Sequence, residues 1–129
     1  MEQKLRILIT GRREDGRSAM GSFLRNKLDL EVVADSADIQ DLLIQAESTQ
    51  PDIILLDWEL CDRQLEDLIA TLHQLERQPG VVIINGMHDS MPAAAAAGAD
   101  AYVLKGDPPK SLLIAIESVR LEREESKDL

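Results

Sequence analysis

Pro51-Asp52-Ile53-Ile54-Leu55-Leu56-Asp57 is an apolar run that opens on proline and closes on a carboxylate. Its length suits a strand, and an unbroken apolar run is what a strand buried on both faces of a parallel sheet looks like. In open parallel sheets, ligands and chemistry collect at the carboxyl ends of the strands. Asp57 is therefore expected at the active edge, where an acid can be phosphorylated or hold a metal. The loop after the first apolar run reads Thr10-Gly11-Arg12-Arg13 and supplies no acid to partner it.

Working outward, four more runs read as strands: Leu5 to Thr10, Glu31 to Ala34, Val81 to Asn85 and Ala101 to Leu104, with the central one spanning Asp52 to Asp57. Helical periodicity fills the gaps. Met20, Phe23, Leu24 and Leu28 share one face, and Leu42, Leu43 and Ala46 a second. Leu65, Leu68, Ile69, Leu72 and Leu75 form the clearest third. Met91 to Ala97 reads as a short alanine-rich helix, with Pro92 in its first turn and Gly98 just past its end. Asp107 and Pro108 are expected to cap and open a last helix that carries Leu112, Leu113, Ile116 and Val119 on one side. Strand and helix alternate five times, which implies an α/β fold, a five-stranded parallel sheet sandwiched by helices. Residues 1–121 are expected to form the domain. Residues 122–129 are charged without apolar periodicity and read as a fraying helix end or linker.

The chain has 129 residues, enough for one domain with a true core, and 44% of them are hydrophobic. A net charge of −10 argues against nucleic-acid binding and against an anionic membrane surface. It favours protein or cationic partners. Cys61 is the single cysteine, so no disulfide framework or thiolate metal cluster is expected. The apolar runs are strand-sized, no leader is visible, and a cytoplasmic location is the default expectation.

Taken together, Arg6-Ile7-Leu8-Ile9, Leu30 to Ala34, Pro51 to Asp57, and Gly98-Ala99-Asp100-Ala101-Tyr102-Val103-Leu104-Lys105 resemble the receiver domain of two-component response regulators over essentially the whole chain. The second strand resembles receivers that precede helix-turn-helix output domains. The resemblance implies a flavodoxin-like, CheY-like strand order and a signalling role with no enzyme activity of its own. It implies that Asp57 accepts a phosphoryl group from a histidine kinase, that Lys105 pairs with the phosphoryl oxygens, and that Tyr102 turns inward on activation. It also implies a metal held by acids after the first strand, by Asp57 and by the carbonyl of Glu59. The chain departs from that pattern at several places. Gly11 and Arg12 stand where the family has its acidic pair, and Asn85-Gly86 stands where it has a switching Ser or Thr. Cys61-Asp62-Arg63 replaces the Pro-Gly turn. Mg2+ wants carboxylates and water, so metal-assisted phosphorylation is disfavoured and no cofactor is expected.

The expected function is an atypical receiver acting by protein–protein contact, with weak or no Mg2+-dependent phosphorylation. Its partners would be a histidine kinase or an output protein or domain. A homodimer would use the face formed by the fourth helix, fifth strand and last helix. An ordinary phosphoaccepting receiver remains the alternative. Asp57 and Lys105 could instead be a residual ion pair, with Arg12 supplying positive charge where the metal used to sit. Glu14 and Asp15 lie nearby in the sequence, but an offset of one turn is expected to point them away from the site. A more distant alternative takes the glycines of Gly11 to Ser18 as a degenerate P-loop with Arg17 in place of its lysine, but Glu14 and Asp15 would repel phosphate. Trp58 reads as packing beside the site, Cys61 as a loop residue, and His73 and His88 as solvated.

Overall fold

The computed structural model describes residues 4–60, 65–86 and 97–127. The apolar run becomes strand β3 (Ile53–Asp57), and all five of its residues are buried. It sits at the centre of a parallel sheet with β1 (Leu5–Thr10), β2 (Leu30–Ser36), β4 (Gly80–Asn85) and β5 (Ala101–Leu104), in the order β2-β1-β3-β4-β5. The helices are α1 (Glu14–Arg25), α2 (Ile39–Thr49), α3 (Leu65–His73) and α4 (Pro109–Lys127).

Alternation along β3 divides the core in two. Ile53 and Leu55 face one cluster with Leu24 of α1 and Leu112, Ile116 and Val119 of α4. Ile54 and Leu56 face the other with Leu42 and Ala46 of α2 and Ile69 and Leu72 of α3. Each fully buried Leu or Ile contributes about 1.5–3 kcal/mol relative to exposure, so two such layers hold the sheet. The chain leaves β1 toward β2 on one side and runs from β3 toward β5 on the other. The crevice at the carboxyl ends of β1 and β3 is therefore the topological switch point.

Local differences from the sequence reading have local causes. The central strand begins at Ile53 rather than Asp52, because the Asp52 carboxylate turns to accept the Arg6 N–H at 2.8 Å. Strand β2 runs longer at both ends, and its register against β1 slips between Ile7 and Leu8. Leu28 does not belong to the core face of α1: the helix ends at Arg25 with Asn26 as its cap, and Leu28 is 92% exposed. Asp107 does not cap the last helix. Its carboxylate accepts the Leu104 N–H at 3.3 Å, and α4 starts at Pro109. That helix continues through Lys127, and Arg123 within it donates to the Gln78 carbonyl. Residues 91–96 of the expected alanine-rich helix lie outside the described residues. Gly98 adopts φ +98°, the conformation expected of a residue just past a helix end.

Gly80 opens β4 one residue earlier than expected, directly beneath α4. A methyl group there would sit 2.3 Å from Val119 Cγ1. We expect Gly80→Ala to cost about 1–3 kcal/mol in urea unfolding, as overpacking does. Combining it with Val119→Ala should cost less than the sum of the two single changes.

Candidate functional site

Asp57 ends β3 at the switch point and is 9% exposed. The preceding backbone is fixed by Thr10, the last residue of β1. Its hydroxyl donates to the Leu55 carbonyl at 3.0 Å and accepts the Asp57 N–H at 2.9 Å. The ladder between β1 and β3 ends at Ile9 and Leu55, so this side chain continues the strand pairing up to the acid. Beyond Asp57 the chain enters a single 3₁₀ turn, Trp58–Leu60, which aims the Glu59 N–H back at Asp57 Oδ1 at 3.0 Å.

Lys105 follows β5. Its N–H donates to the Asn85 carbonyl at 2.8 Å, which ties the turn after β5 to the end of β4. From there its ammonium reaches Asp57 Oδ2 at 3.3 Å and Glu59 Oε1 at 3.6 Å. One oxygen of Asp57 thus accepts a backbone N–H and the other faces a cation. An ammonium held at that distance also suits the oxygens of a group carried on the carboxylate. The structure brings Asp57, Lys105 and Glu59 together, with the Glu59 carboxylate facing the lysine; the Glu59 carbonyl entered the sequence reading as a metal ligand.

A cavity of about 220 Å3 opens beside them, bordered by Gly11, Arg12, Arg17, Asp57, Glu59 and Lys105. Gly11 is buried and Arg12 is exposed. The cation that folds inward is Arg17, from the second turn of α1: its Nη1 donates to the Gly11 carbonyl at 2.6 Å. Its Nε is buried and meets no hydrogen-bond partner among the described residues. Glu14 and Asp15 are exposed on the first turn of α1, where Asp15 accepts the Gly16 N–H at 2.9 Å and lies 3.7 Å from Arg13. Gly16, Arg17 and Ser18 are helical, so the glycine spacing builds no phosphate-binding loop. Among the described residues, no three His, Cys, Asp or Glu side chains converge as a metal site would require.

The remaining predicted positions are placed as follows. Asn85 is buried at the end of β4, and its Oδ1 accepts the Gly86 N–H at 2.7 Å. Tyr102 and Trp58 are half-buried against the cluster shared with α2 and α3. Cys61 and His88 lie outside the described residues. His73 is not simply solvated: its Nε2 lies 2.7 Å from Asp100 Oδ2, which also accepts the Val81 N–H at 2.7 Å. Sequence reasoning gave His73 no partner because Asp100 is 27 residues away. Thr10 was missed, and Arg17 entered only as the lysine substitute of the P-loop alternative, for a related reason. A hydroxyl at a strand end and an arginine on a helix carry no signal until the fold shows what they reach.

Similarity to known proteins agrees with this geometry. The model of the response regulator receiver domain matches residues 7–117, and the chain belongs to that family. It is 28% identical over 122 residues to the transcriptional regulatory protein DegU of Brevibacillus brevis, covering 92% of this chain and 51% of that protein. It is 25% identical to the response regulator protein VraR of Staphylococcus aureus, covering 87% of this chain and 54% of that one. The chain thus spans about half the length of these curated relatives. Among solved structures, a CheY-like receiver domain protein from Methanospirillum hungatei JF-1 superimposes with a TM-score of 0.79 at 25% identity, covering 96% of this chain and 98% of that one. A LuxR-family two-component response regulator from Aurantimonas sp. SI85-9A1 gives 0.79 at 25% identity, covering 91% and 85%. The five-stranded, CheY-like architecture read from the sequence is therefore the architecture of the family, and the chain is a receiver domain of two-component signalling. No helix among the described residues is long and apolar enough to cross a membrane.

Replacing Thr10 by Val would leave the Asp57 N–H and the Leu55 carbonyl without their hydroxyl partner. We expect a loss of about 1–3 kcal/mol in chemical denaturation, the cost of a buried polar group left unpaired. Thr10→Ser, which keeps the hydroxyl, should recover most of it.

Proposed function

We propose that this receiver is atypical: it works mainly through protein–protein contact and takes up phosphoryl groups weakly, or not at all, with Mg2+. The observation that carries this reading is the composition of the cavity beside Asp57. Among the described residues its carboxylates are Asp57 and Glu59, and both already face the Lys105 ammonium. Gly11 and Arg12 occupy the positions of the family's acidic pair, and Arg17 adds a further guanidinium. Mg2+ binds through carboxylates and retained waters in octahedral geometry. A divalent ion brought within about 4 Å of a guanidinium meets repulsion on the order of several kcal/mol at an effective dielectric near 20. This donor set does not fit the metal. Asn85 in place of the switching hydroxyl supports the same reading.

On this reading residues 1–121 carry the receiver and residues 122–129 its charged continuation. Its partners are a histidine kinase or an output protein or domain. A homodimer would form through the face expected of residues 93–97, Tyr102 to Leu104 and α4. Ile114 and Leu121, seven residues apart on one face of α4, are 63% and 50% exposed, an apolar pair suited to such contact.

Incubation with acetyl phosphate and Mg2+ followed by intact-mass measurement tests the phosphorylation claim, with Asp57→Asn as control. Little or no gain is expected. A near-complete, Mg2+-dependent gain that disappears in the control would mean an ordinary phosphoaccepting receiver. For the interface, Ile114→Glu combined with Leu121→Glu should leave the melting temperature nearly unchanged, as exposed substitutions do. It should also lower the self-association measured by sedimentation; an unaltered sedimentation profile for a dimeric protein would rule that face out.

A further inference from the structure

Strand β4 ends on Asn85, and Gly86 follows it at the edge that carries Asp57 and Lys105. An asparagine followed by glycine can close on itself. Base takes the glycine N–H proton, the nitrogen attacks the side-chain amide carbon, and ammonia leaves. Water then opens the cyclic imide. Glycine favours the closure because it carries no side chain beside the nitrogen and reaches backbone conformations closed to other residues. The local geometry brings the reacting groups together. The Gly86 N–H donates to Asn85 Oδ1 at 2.7 Å, and the carbon to be attacked is one bond from that oxygen. The last ladder pair is Asn85 with Leu104, so the attacking nitrogen lies outside the strand. Gly86 is exposed, and a side-chain carbon built on it would meet nothing within 4 Å among the described residues. Asn85 is itself 3% exposed, so water reaches the pair from the Gly86 side.

We propose that Asn85 is a site of spontaneous deamidation, and that its product carries a new carboxylate at the phosphoacceptor edge. The reaction consumes one water, releases one ammonia and exchanges an amide for an acid, with no oxidant or cofactor. The inference stands apart from how strongly Asp57 takes up a phosphoryl group. Where the new charge falls depends on which side of the imide opens. Opening at the side-chain carbonyl gives aspartate. Opening at the main-chain carbonyl gives isoaspartate: the chain then runs through the former side-chain carbon and gains a methylene, and the former main-chain carbonyl becomes the carboxylate. That carbonyl accepts the Lys105 N–H at 2.8 Å. The isoaspartyl product therefore puts an anion on the bond that ties the turn after β5 to β4, next to the residue whose ammonium faces Asp57.

The test is a time course of the folded protein in warm, mildly alkaline buffer, read by intact mass, by ion-exchange retention and by peptide mapping that separates aspartate from isoaspartate. The chain has two asparagines, and Asn26, followed by Lys27, is the internal comparison. Gly86→Ala is the control variant, with circular dichroism to confirm its fold, and the wild-type protein unfolded in urea is followed in parallel. The proposal expects acid to accumulate at position 85 in the folded protein, as aspartate and isoaspartate, with the gain lost in Gly86→Ala and Asn26 unchanged. An Asn85 that stays an amide in the folded protein overturns it, whether or not the unfolded protein converts. A gain that maps to Asn26, or one equally fast in a folded Gly86→Ala, overturns it as well. Should that variant fail to fold, the mapped position in the folded wild-type protein decides alone.

Discussion

Burying the carboxylate of Asp57 at the end of a strand with no exposed residue obliges the surrounding elements to supply compensation. A buried ionised acid is costly unless it is paired and hydrogen-bonded. The first 3₁₀ turn gives it the Glu59 N–H, and the turn after β5 gives it the Lys105 ammonium. Strand β1 contributes indirectly, through the Thr10 hydroxyl that holds the Asp57 backbone in place. The opposite end of the strand poses the same problem and solves it in a parallel way. Asp52 accepts the Arg6 N–H and faces Arg77 at 3.2 Å and Arg123 at 3.6 Å. Two acids, one at each end of the central apolar run, thereby bind β1, the turn after α3, α4 and the turn after β5 around β3.

The two ends draw on different elements. Around Asp52 the arginines come from the turn after α3 and from α4. Around Asp57 the cations border an open cavity at the switch point, where a ligand can reach the carboxylate. The fold therefore brings the acid that ends β3 and the lysine that follows β5 to this edge, with Arg17 donating to the Gly11 carbonyl beside them.

Much of this was legible in the sequence, for reasons that differ by element. The strands declared themselves as short, mostly apolar runs, and the bounds of β1 and β5 were read correctly. The faces of α2, α3 and α4 followed from 3.6-residue periodicity, with Leu42, Ala46, Ile69, Leu72, Ile116 and Val119 all buried. Leu28 failed because periodicity does not say where a helix stops, and Asp107 failed because a carboxylate near a helix start has more than one N–H within reach. In the site, Asp57 and Lys105 were legible as the ends of strand motifs. The bond from Arg17 to the Gly11 carbonyl was not, because which arginine enters a cavity depends on the reach and lean of a long side chain. The pairing of His73 with Asp100 was hidden in the same way, since it joins the end of α3 to the residue before β5.

The most direct check on the charge arrangement is a crystal structure of the wild-type protein grown in saturating Mg2+. The account predicts the Lys105 ammonium beside Asp57 and no metal in the cavity next to them. A six-coordinate ion on the Asp57 carboxylate would contradict it.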